Sequence, residues 1–235
     1  MSIQSRLNRI REQIRQAEEK LDCSSSTSSV SLLAISKTHP VSKILEAIAA
    51  GQHSFGENYL QEALEKIHTL SAEKIEWHFV GAVQSNKTKA LAENFSWVHG
   101  VTRVDIAKKL NQYRPKNLPP LNICIQVNIS GEGTKSGVAP EQVFLLAKEL
   151  LNFPMLRLRG LMTIPAPLKT DEEQHQAYQA MQQIYKDLKK QGVPLDTLSM
   201  GMSDDFQIAI AHGATLVRIG TAIFGSREGR KNHGP

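Results

Sequence analysis

Short apolar runs alternate with helical segments along almost the whole chain, and this alternation constrains the fold more than any other feature. Eight runs have the length and composition of buried strands, two of them more weakly than the rest. They lie at residues 32–35, 53–55, 77–80, 97–98, 123–127, 156–161, 195–198 and 215–219. Because strands that alternate with helices pair in parallel, the pattern predicts a parallel sheet.

The segments between these runs have the spacing of amphipathic helices, and one helix precedes the first strand. Its apolar residues recur from Ile3 at intervals of three or four, with charged residues between them. Pro40 begins the next helix and Gly51 follows it. Proline is common at the start of a helix and glycine just after its end. Thr102, with Asp105 three residues later, predicts another N-terminus close to a capping box. Further helices are predicted at about 140–150, 171–190 and 203–212.

Eight strand–helix units without a glycine-rich dinucleotide-binding motif favour a closed barrel over an open Rossmann sheet. A chain of 235 residues has the size of one such barrel with a leading helix. We therefore predict the α/β class and a single (β/α)8 TIM barrel domain over residues 1–235, with an N-terminal leading helix. The residues from about 228 to 235 are expected to form a disordered tail.

Composition and charge exclude several classes of function. The net charge is +5, but the basic residues are scattered among acids and form no basic stripe of the nucleic-acid-binding type. No apolar stretch approaches membrane-spanning length, and the first residues lack a secretory apolar core. Cys23 and Cys124 are far apart, and no histidine pair has the spacing of a zinc site. We expect a cytoplasmic monomer that binds no nucleic acid, membrane or metal.

Function is expected at the C-terminal ends of the barrel strands, where Lys37 follows the first strand. Partial desolvation of a lysine at such a position favours the neutral amine, which is the form that attacks an aldehyde. The same position also suits a rim lysine whose ammonium extends into water. Position alone leaves both interpretations open.

A second candidate site follows the eighth strand, where barrels often bind phosphate through backbone N–H groups. Gly220 lets the backbone approach a ligand there, and Thr221 adds a hydroxyl. Ser199 and Ser203, after the seventh strand, are further hydroxyl donors for the same phosphate. Ser203 is equally well explained as the N-cap of the next helix, and the two aspartates after it as residues of its first turn.

Arg218 lies in an apolar strand and points toward the barrel centre if it alternates with Val217. A buried arginine needs an acceptor, for which a pyridine nitrogen and a core carboxylate are the two candidates. Three histidines either line the mouth of the barrel or form hydrogen bonds at its rim: His39, His78 and His99.

With these residues in place, the chain closely resembles the pyridoxal-phosphate homeostasis protein family. The resemblance rests on ordered segments: Ala-Ile-Ser-Lys-Thr at 34–38, Phe-Gly-Glu-Asn-Tyr at 55–59, Trp-His-Phe-Val-Gly at 77–81, Gln-Ser-Asn-Lys at 84–87, Gly-Leu-Met-Thr-Ile at 160–164, Leu-Ser-Met-Gly-Met-Ser-Asp-Asp at 198–205 and Val-Arg-Ile-Gly-Thr-Ala-Ile-Phe-Gly at 217–225. The chain departs from the family at 81–84, where many relatives carry proline or histidine, then leucine, before the glutamine. This departure leaves the detail of one mouth loop open.

The resemblance implies pyridoxal 5′-phosphate as the cofactor, held as a Schiff base on Lys37. It also implies that Arg218 faces the ring nitrogen and that Asn58 lies beside the ring. Four residues of the last two loops would bind or support the phosphate: Ser199, Ser203, Gly220 and Thr221. Arginine at the ring nitrogen keeps that nitrogen unprotonated, which makes the cofactor a poor electron sink.

The function implied by the resemblance is to hold pyridoxal phosphate, to buffer its free aldehyde and to pass it to apo-enzymes, without robust catalysis. The alternative is a pyridoxal-phosphate-dependent amino-acid racemase or lyase of narrow scope. A barrel aldolase that forms a Schiff base without cofactor is a third and weaker interpretation. The resemblance also relates the chain to the N-terminal barrel of alanine racemase, whose class adds a β-rich domain that we do not expect after the eighth strand here.

Overall fold

The computed structural model describes residues 1–21, 29–131, 136–164 and 170–226. The expected tail at 228–235 and Cys23 lie outside these ranges, and the single domain over residues 1–235 stays a prediction. Within the described ranges, no helix is long and apolar enough to cross a membrane. The same residues bring together no group of three or more metal-ligating side chains.

The described residues form eight parallel β-strands that pair in chain order, and the last strand pairs with the first to close a barrel. They are β1 (Ser31–Ile35), β2 (Ser54–Glu57), β3 (Glu76–Phe79), β4 (Trp97–Val101), β5 (Leu121–Gln126), β6 (Leu156–Met162), β7 (Thr197–Ser199) and β8 (Leu216–Ile219). A helix follows every strand. The predicted (β/α)8 barrel is therefore confirmed, with strand boundaries that differ from the sequence prediction by at most about three residues.

A leading helix and eight connecting helices surround the barrel in the described part of the chain. They are α1 (Ile3–Glu19), α2 (Val41–Ala49), α3 (Leu60–Thr69), α4 (Thr88–Asn94), α5 (Val104–Tyr113), α6 (Val143–Leu150), α7 (Asp171–Lys190), α8 (Phe206–Ala211) and α9 (Thr221–Phe224). Short 3₁₀ turns at Ser85–Lys87 and Pro140–Gln142 lead into α4 and α6. The leading helix was predicted, and α7 has the predicted boundaries.

The predicted capping box at Thr102 is wrong. Helix α5 begins at Val104, and Arg103 occupies the N-cap position without a side-chain hydrogen bond to the helix. The Asp105 carboxylate accepts a hydrogen bond from Arg103 Nε (3.1 Å), so its charge is matched by a neighbouring cation.

The predicted helix start at Ser203 is also wrong, because α8 begins three residues later at Phe206. The intervening residues form a turn that the Asp205 side chain closes by accepting the N–H of Met202 (2.6 Å). The other carboxylate oxygen of Asp205 accepts the Tyr178 hydroxyl (2.7 Å). Asp205 occupies the N-cap position of α8 and not the expected first turn, and Ser203 is left outside the helix.

Alternation along the strands divides the apolar residues into an outer and an inner core. The outer core joins the strands to the helices, and α1 adds its buried face by packing against α2, α8 and α9. Two smaller clusters fill the inside of the barrel: Leu33, Ile35, Val80 and Leu216 in one, and Trp97, Cys124 and Met162 in the other. Cys124 is fully buried.

Strands β6 and β7 approach so closely that only glycine fits at residue 160. A Cβ atom on Gly160 would lie 1.6 Å from the carbonyl oxygen of Thr197. Gly160 therefore lets β7 lie against β6 in the register that carries the loop after β7 to the barrel mouth.

We expect Leu7→Ala to lower the free energy of unfolding by about 2–5 kcal/mol, because Leu7 is fully buried where α1 packs on the barrel helices. Leu145→Ala, on α6, is the matched control, since Leu145 is 67% exposed and its removal should change stability by less than about 0.5 kcal/mol. Urea denaturation of both variants measures the difference. Equal effects would contradict the packing of α1 described here.

Candidate functional site

A cavity of about 220 Å³ lies at the C-terminal mouth of the barrel, among the loops that follow β1, β2, β3, β6, β7 and β8. It is lined by six of the seven residues that the sequence predicted for the site: Lys37, Asn58, Ser203, Arg218, Gly220 and Thr221. The other lining residues are Ile35, Val80, Ile164, Met202 and Asp204. Residues from both ends of the chain therefore share one polar cavity with an apolar wall.

Lys37 reaches this cavity from a backbone segment that is held on both sides. The N–H of Thr38, which has a left-handed φ of 65°, donates to Glu62 Oε1 (2.6 Å). The carbonyl of Ser36 accepts a hydrogen bond from Lys66 Nζ (2.8 Å). Because both neighbouring residues are bound outside the barrel, the half-buried Lys37 is directed to the inner side.

A buried ion cluster outside the barrel provides these contacts. Lys66 Nζ donates to Glu57 Oε1 (2.7 Å) and Glu62 Oε1 (2.6 Å), and the Ser36 hydroxyl donates to Glu57 Oε1 (2.6 Å). Burial raises the pKa of Glu57, while the ammonium of Lys66 opposes the rise. The sequence pattern does not reveal this cluster, because a lysine in an amphipathic helix is normally solvated.

Arg218 forms part of the cavity floor with almost its entire side chain buried. It donates through Nη1 to Ser199 Oγ (2.8 Å) and through Nη2 to the carbonyl of Thr163 (2.7 Å). Burial lowers the pKa of Arg218. No carboxylate lies within ion-pair distance of it among the described residues. A guanidinium carries five N–H groups, so donors remain for an acceptor in the cavity.

Ser199 is placed differently from the other expected phosphate ligands. It is fully buried inside the barrel, where its hydroxyl contacts Arg218 and the Nδ1 atom of His99 (3.1 Å), and it does not line the cavity. Of the three candidate histidines, His78 and His99 lie inside the barrel, whereas the ring of His39 packs against Phe224.

The loops after β7 and β8 meet at the cavity. The N–H of Ala222 donates to Ser203 Oγ (3.4 Å), and the exposed Thr221 begins α9 directly after Gly220. A Cβ atom on Gly220 would lie 3.3 Å from the carbonyl oxygen of Ile35, at the inner wall. Glycine at this position leaves space beside the backbone of the loop.

Asn58 contributes a buried oxygen, Oδ1, that has no hydrogen-bond partner among the described residues. A buried acceptor without a partner is costly, and its place in the cavity wall suits a ligand that donates a hydrogen bond. The site as a whole combines one amine, one buried cation, an unsatisfied amide oxygen and hydroxyls beside a glycine. This set suits a polar, anionic ligand that has an aldehyde and a ring acceptor.

Comparison with known proteins agrees with this geometry. Residues 5–228 match the family model of the alanine racemase N-terminal domain. The pyridoxal phosphate homeostasis protein of Pseudomonas aeruginosa is 54% identical over 199 residues, which are 85% of each chain. That of Vibrio cholerae is 48% identical over 235 residues, 98% of this chain and 99% of the relative.

The chain belongs to the pyridoxal phosphate homeostasis protein family. The family predicted from the sequence is thereby confirmed. PipY of Synechococcus elongatus, solved with PLP bound, superimposes with a TM-score of 0.83 at 34% identity, over 95% of this chain and all of that one.

We expect Lys66→Met to lower the free energy of unfolding by about 3–5 kcal/mol, because it leaves the Glu57 carboxylate buried without its cation. The double variant Lys66→Met/Glu57→Gln should recover part of this loss, since it removes the uncompensated charge. Urea denaturation provides the measurement. Lys89→Met is the control, because Lys89 is exposed and its contact with Glu93 is a surface pair.

The two single variants should behave very differently if the cluster is buried as described. Lys89→Met should change stability by less than about 1 kcal/mol. A Lys66→Met protein as stable as the wild type would show that Lys66 is not the partner on which Glu57 depends.

Proposed function

We propose that the protein holds pyridoxal 5′-phosphate as a Schiff base on Lys37 and acts in pyridoxal phosphate homeostasis. The observation that carries the proposal is the buried Arg218 guanidinium, which has no carboxylate partner among the described residues and shares a cavity with Lys37. Ser199 and the Thr163 carbonyl bind two of its five N–H groups, and the remaining donors suit an acceptor that the ligand supplies. The relatives named as homeostasis proteins, and the PLP-bound structure of PipY, support the same ligand.

Each polar group of the cavity has a role in this proposal. Lys37 Nζ binds the aldehyde carbon, with loss of one water, and Arg218 donates to the ring nitrogen. Asn58 Oδ1 accepts a hydrogen bond at the edge of the ring. Gly220 and Thr221, with Ser203 from the neighbouring loop, hold the phosphate. Ser199 supports the site from inside the barrel and does not touch the phosphate.

The cavity is better suited to holding the cofactor than to turnover. Pyridoxal phosphate supplies an electron-accepting ring, and this capacity is greatest when the ring nitrogen is protonated. A guanidinium donates a hydrogen bond but does not give up its proton, so Arg218 keeps the ring nitrogen unprotonated. Among the described residues that line the cavity there is no histidine, tyrosine or cysteine, and Asp204 is the one carboxylate. A racemase needs a second acid or base besides the lysine, and Asp204 is the one described lining residue of that chemistry.

We further propose that the protein buffers the free aldehyde in the cytoplasm and passes the cofactor to apo-enzymes, and that it does so as a monomer. A Schiff base is reversible, and the mouth of the cavity is partly open: Thr221 and Met202 are both exposed. Reversible binding at an open mouth suits a carrier that must release its ligand. Size-exclusion chromatography with light scattering tests the monomer.

We expect Lys37→Ala to lose the visible absorption of the bound cofactor, because Lys37 supplies the amine of the covalent link. Borohydride reduction of the wild type, followed by peptide mass mapping, should find the reduced adduct on Lys37. Lys43→Ala is the matched control, since Lys43 lies near the same loop but does not line the cavity. A stoichiometric adduct that persists in Lys37→Ala would remove Lys37 from the role proposed for it.

The same variants distinguish homeostasis from the alternative of a racemase or lyase. The match to the alanine racemase N-terminal domain makes this alternative worth testing. The loaded protein is incubated with a panel of L-amino acids, and the products are separated by chiral chromatography. We expect no appreciable turnover. Robust turnover that Lys37→Ala abolishes would overturn the homeostasis function while preserving the cofactor site.

We expect Ser203→Ala/Thr221→Ala to weaken pyridoxal phosphate binding by about tenfold or more, because each hydroxyl bonded to a phosphate contributes about 1 kcal/mol or more. Equilibrium dialysis of the apo-protein measures the dissociation constant. Thr102→Ala is the control, since its hydroxyl lies away from the cavity. Unchanged affinity in the double variant would place the phosphate elsewhere.

A further inference from the structure

Arg218 is the first member of a hydrogen-bonded chain that crosses the inside of the barrel. Its Nη1 atom lies 2.8 Å from Ser199 Oγ, and that oxygen lies 3.1 Å from His99 Nδ1. His99 Nε2 lies 3.0 Å from His78 Nδ1, and His78 Nε2 lies 2.8 Å from Glu76 Oε1. We call these five residues the barrel relay. Four strands contribute to it: β3, β4, β7 and β8.

The barrel relay connects the two ends of the barrel. Arg218 lines the cavity at the mouth, whereas Glu76 is the first residue of β3 and lines a separate cavity of about 370 Å³ at the N-terminal end. His78 and His99, which lie between Arg218 and Glu76, are each at most 1% exposed. The indole of Trp97 stacks on His78 with 5.2 Å between ring centroids and 8° between ring planes, which fixes the plane of that imidazole.

Only one arrangement of protons satisfies all four contacts with neutral imidazoles. Burial lowers the pKa of both His78 and His99, so the two rings are neutral near pH 7. The hydrogen bond from His78 lowers the pKa of Glu76, which is therefore an ionised acceptor. His78 must then carry its proton on Nε2 and accept at Nδ1.

The remaining protons follow from that assignment. His99 must donate from Nε2 to His78, so its Nδ1 atom is an acceptor. The Ser199 hydroxyl donates to this Nδ1 atom, and its oxygen accepts from Arg218. Every donor therefore points from Arg218 toward Glu76. The oriented dipoles present an oxygen to the guanidinium and an N–H to the carboxylate, so the chain stabilises both charges.

We propose that Ser199, His99 and His78 are positioning residues, whose hydrogen bonds hold the Arg218 guanidinium in the orientation that faces the ring nitrogen of the bound cofactor. This inference rests on the proposed function. Ser199 fixes Nη1 on one side while the Thr163 carbonyl fixes Nη2 on the other, so the plane of the guanidinium is defined at two points. Without Ser199 the guanidinium is held at one point and can turn away from the ring.

The composition of the barrel interior supports a functional role for the barrel relay. Barrel interiors are usually filled by branched apolar residues, and buried polar chains are costly unless every member is satisfied. The imidazoles of His78 and His99 and the hydroxyl of Ser199 are each bonded on both sides. An apolar filling would leave the Nη1 atom of Arg218 without the acceptor that Ser199 provides.

A first experiment tests the proton arrangement in the apo-protein, where no cofactor is needed. Full-length protein labelled with ¹⁵N at histidine is examined by two-dimensional NMR, with His78→Gln and His99→Gln used for assignment. We expect both rings to be neutral Nε2–H tautomers between pH 6.5 and 8, a range chosen about the ordinary histidine pKa. An imidazolium, or an Nδ1–H tautomer at either ring, would overturn the barrel relay.

A second experiment tests the effect on the cofactor. Ser199→Ala should weaken pyridoxal phosphate binding about five- to tenfold and shift its visible absorption maximum, because the ring nitrogen loses its fixed donor. His99→Gln should shift the maximum in the same direction. Cys124→Ala is the matched control: it also removes one fully buried atom from the barrel interior, but it is not part of the barrel relay. We expect wild-type affinity and spectrum from it.

The outcomes separate the two proposals. If the wild type binds the cofactor on Lys37 but Ser199→Ala keeps its affinity and spectrum, the positioning role is wrong and the proposed function stands. If the wild type binds no cofactor, the proposed function fails, while the NMR experiment still decides the barrel relay. Equal losses in Ser199→Ala and Cys124→Ala would show a general packing effect and would also overturn the positioning role.

Discussion

Strand β8 pairs in parallel with β1, with Leu33 opposite Arg218 and Ala34 opposite Ile219. This pairing closes the barrel and brings together two segments that are more than 180 residues apart in the chain. Lys37 lies two residues after the end of β1, and Gly220 directly follows β8, so both line the same cavity. Without closure, the amine and the loop proposed to hold the phosphate would have no common site.

The second constraint is the free-energy cost of burying charged side chains, one inside the barrel and one outside it. Inside the barrel, Arg218 is balanced by a chain of neutral dipoles that ends at the Glu76 carboxylate. Outside it, Lys66 is balanced directly by Glu57. A buried ion is less costly when an opposite charge or hydrogen-bond partners stabilise it, so each arrangement restricts its neighbours. The outer cluster holds the backbone around Lys37, and the inner chain holds Arg218.

These two devices serve the same cavity in different ways. The outer cluster acts on backbone, through the carbonyl of Ser36 and the N–H of Thr38, and so determines where the amine of Lys37 emerges. The barrel relay acts on the side chain of Arg218 and determines the orientation of its guanidinium. In the proposed function, Lys37 provides the covalent link and Arg218 provides the oriented donor at the ring nitrogen.

The sequence by itself determined the barrel, because alternating apolar runs and helices are a local pattern that each segment carries alone. It also placed Lys37, Gly220 and Thr221 at strand ends, where a barrel puts its site. It did not reveal that Ser199 turns inward to Arg218, or that Lys66 is buried, since both depend on which strands and helices become neighbours. The helix starts predicted at Thr102 and Ser203 failed for a different reason, since Asp105 contacts Arg103 and Asp205 contacts Met202, which are neighbours in sequence. Tertiary structure decided the places of Ser199 and Lys66 because hydrogen-bond partners distant in sequence are chosen by packing and not by local propensity.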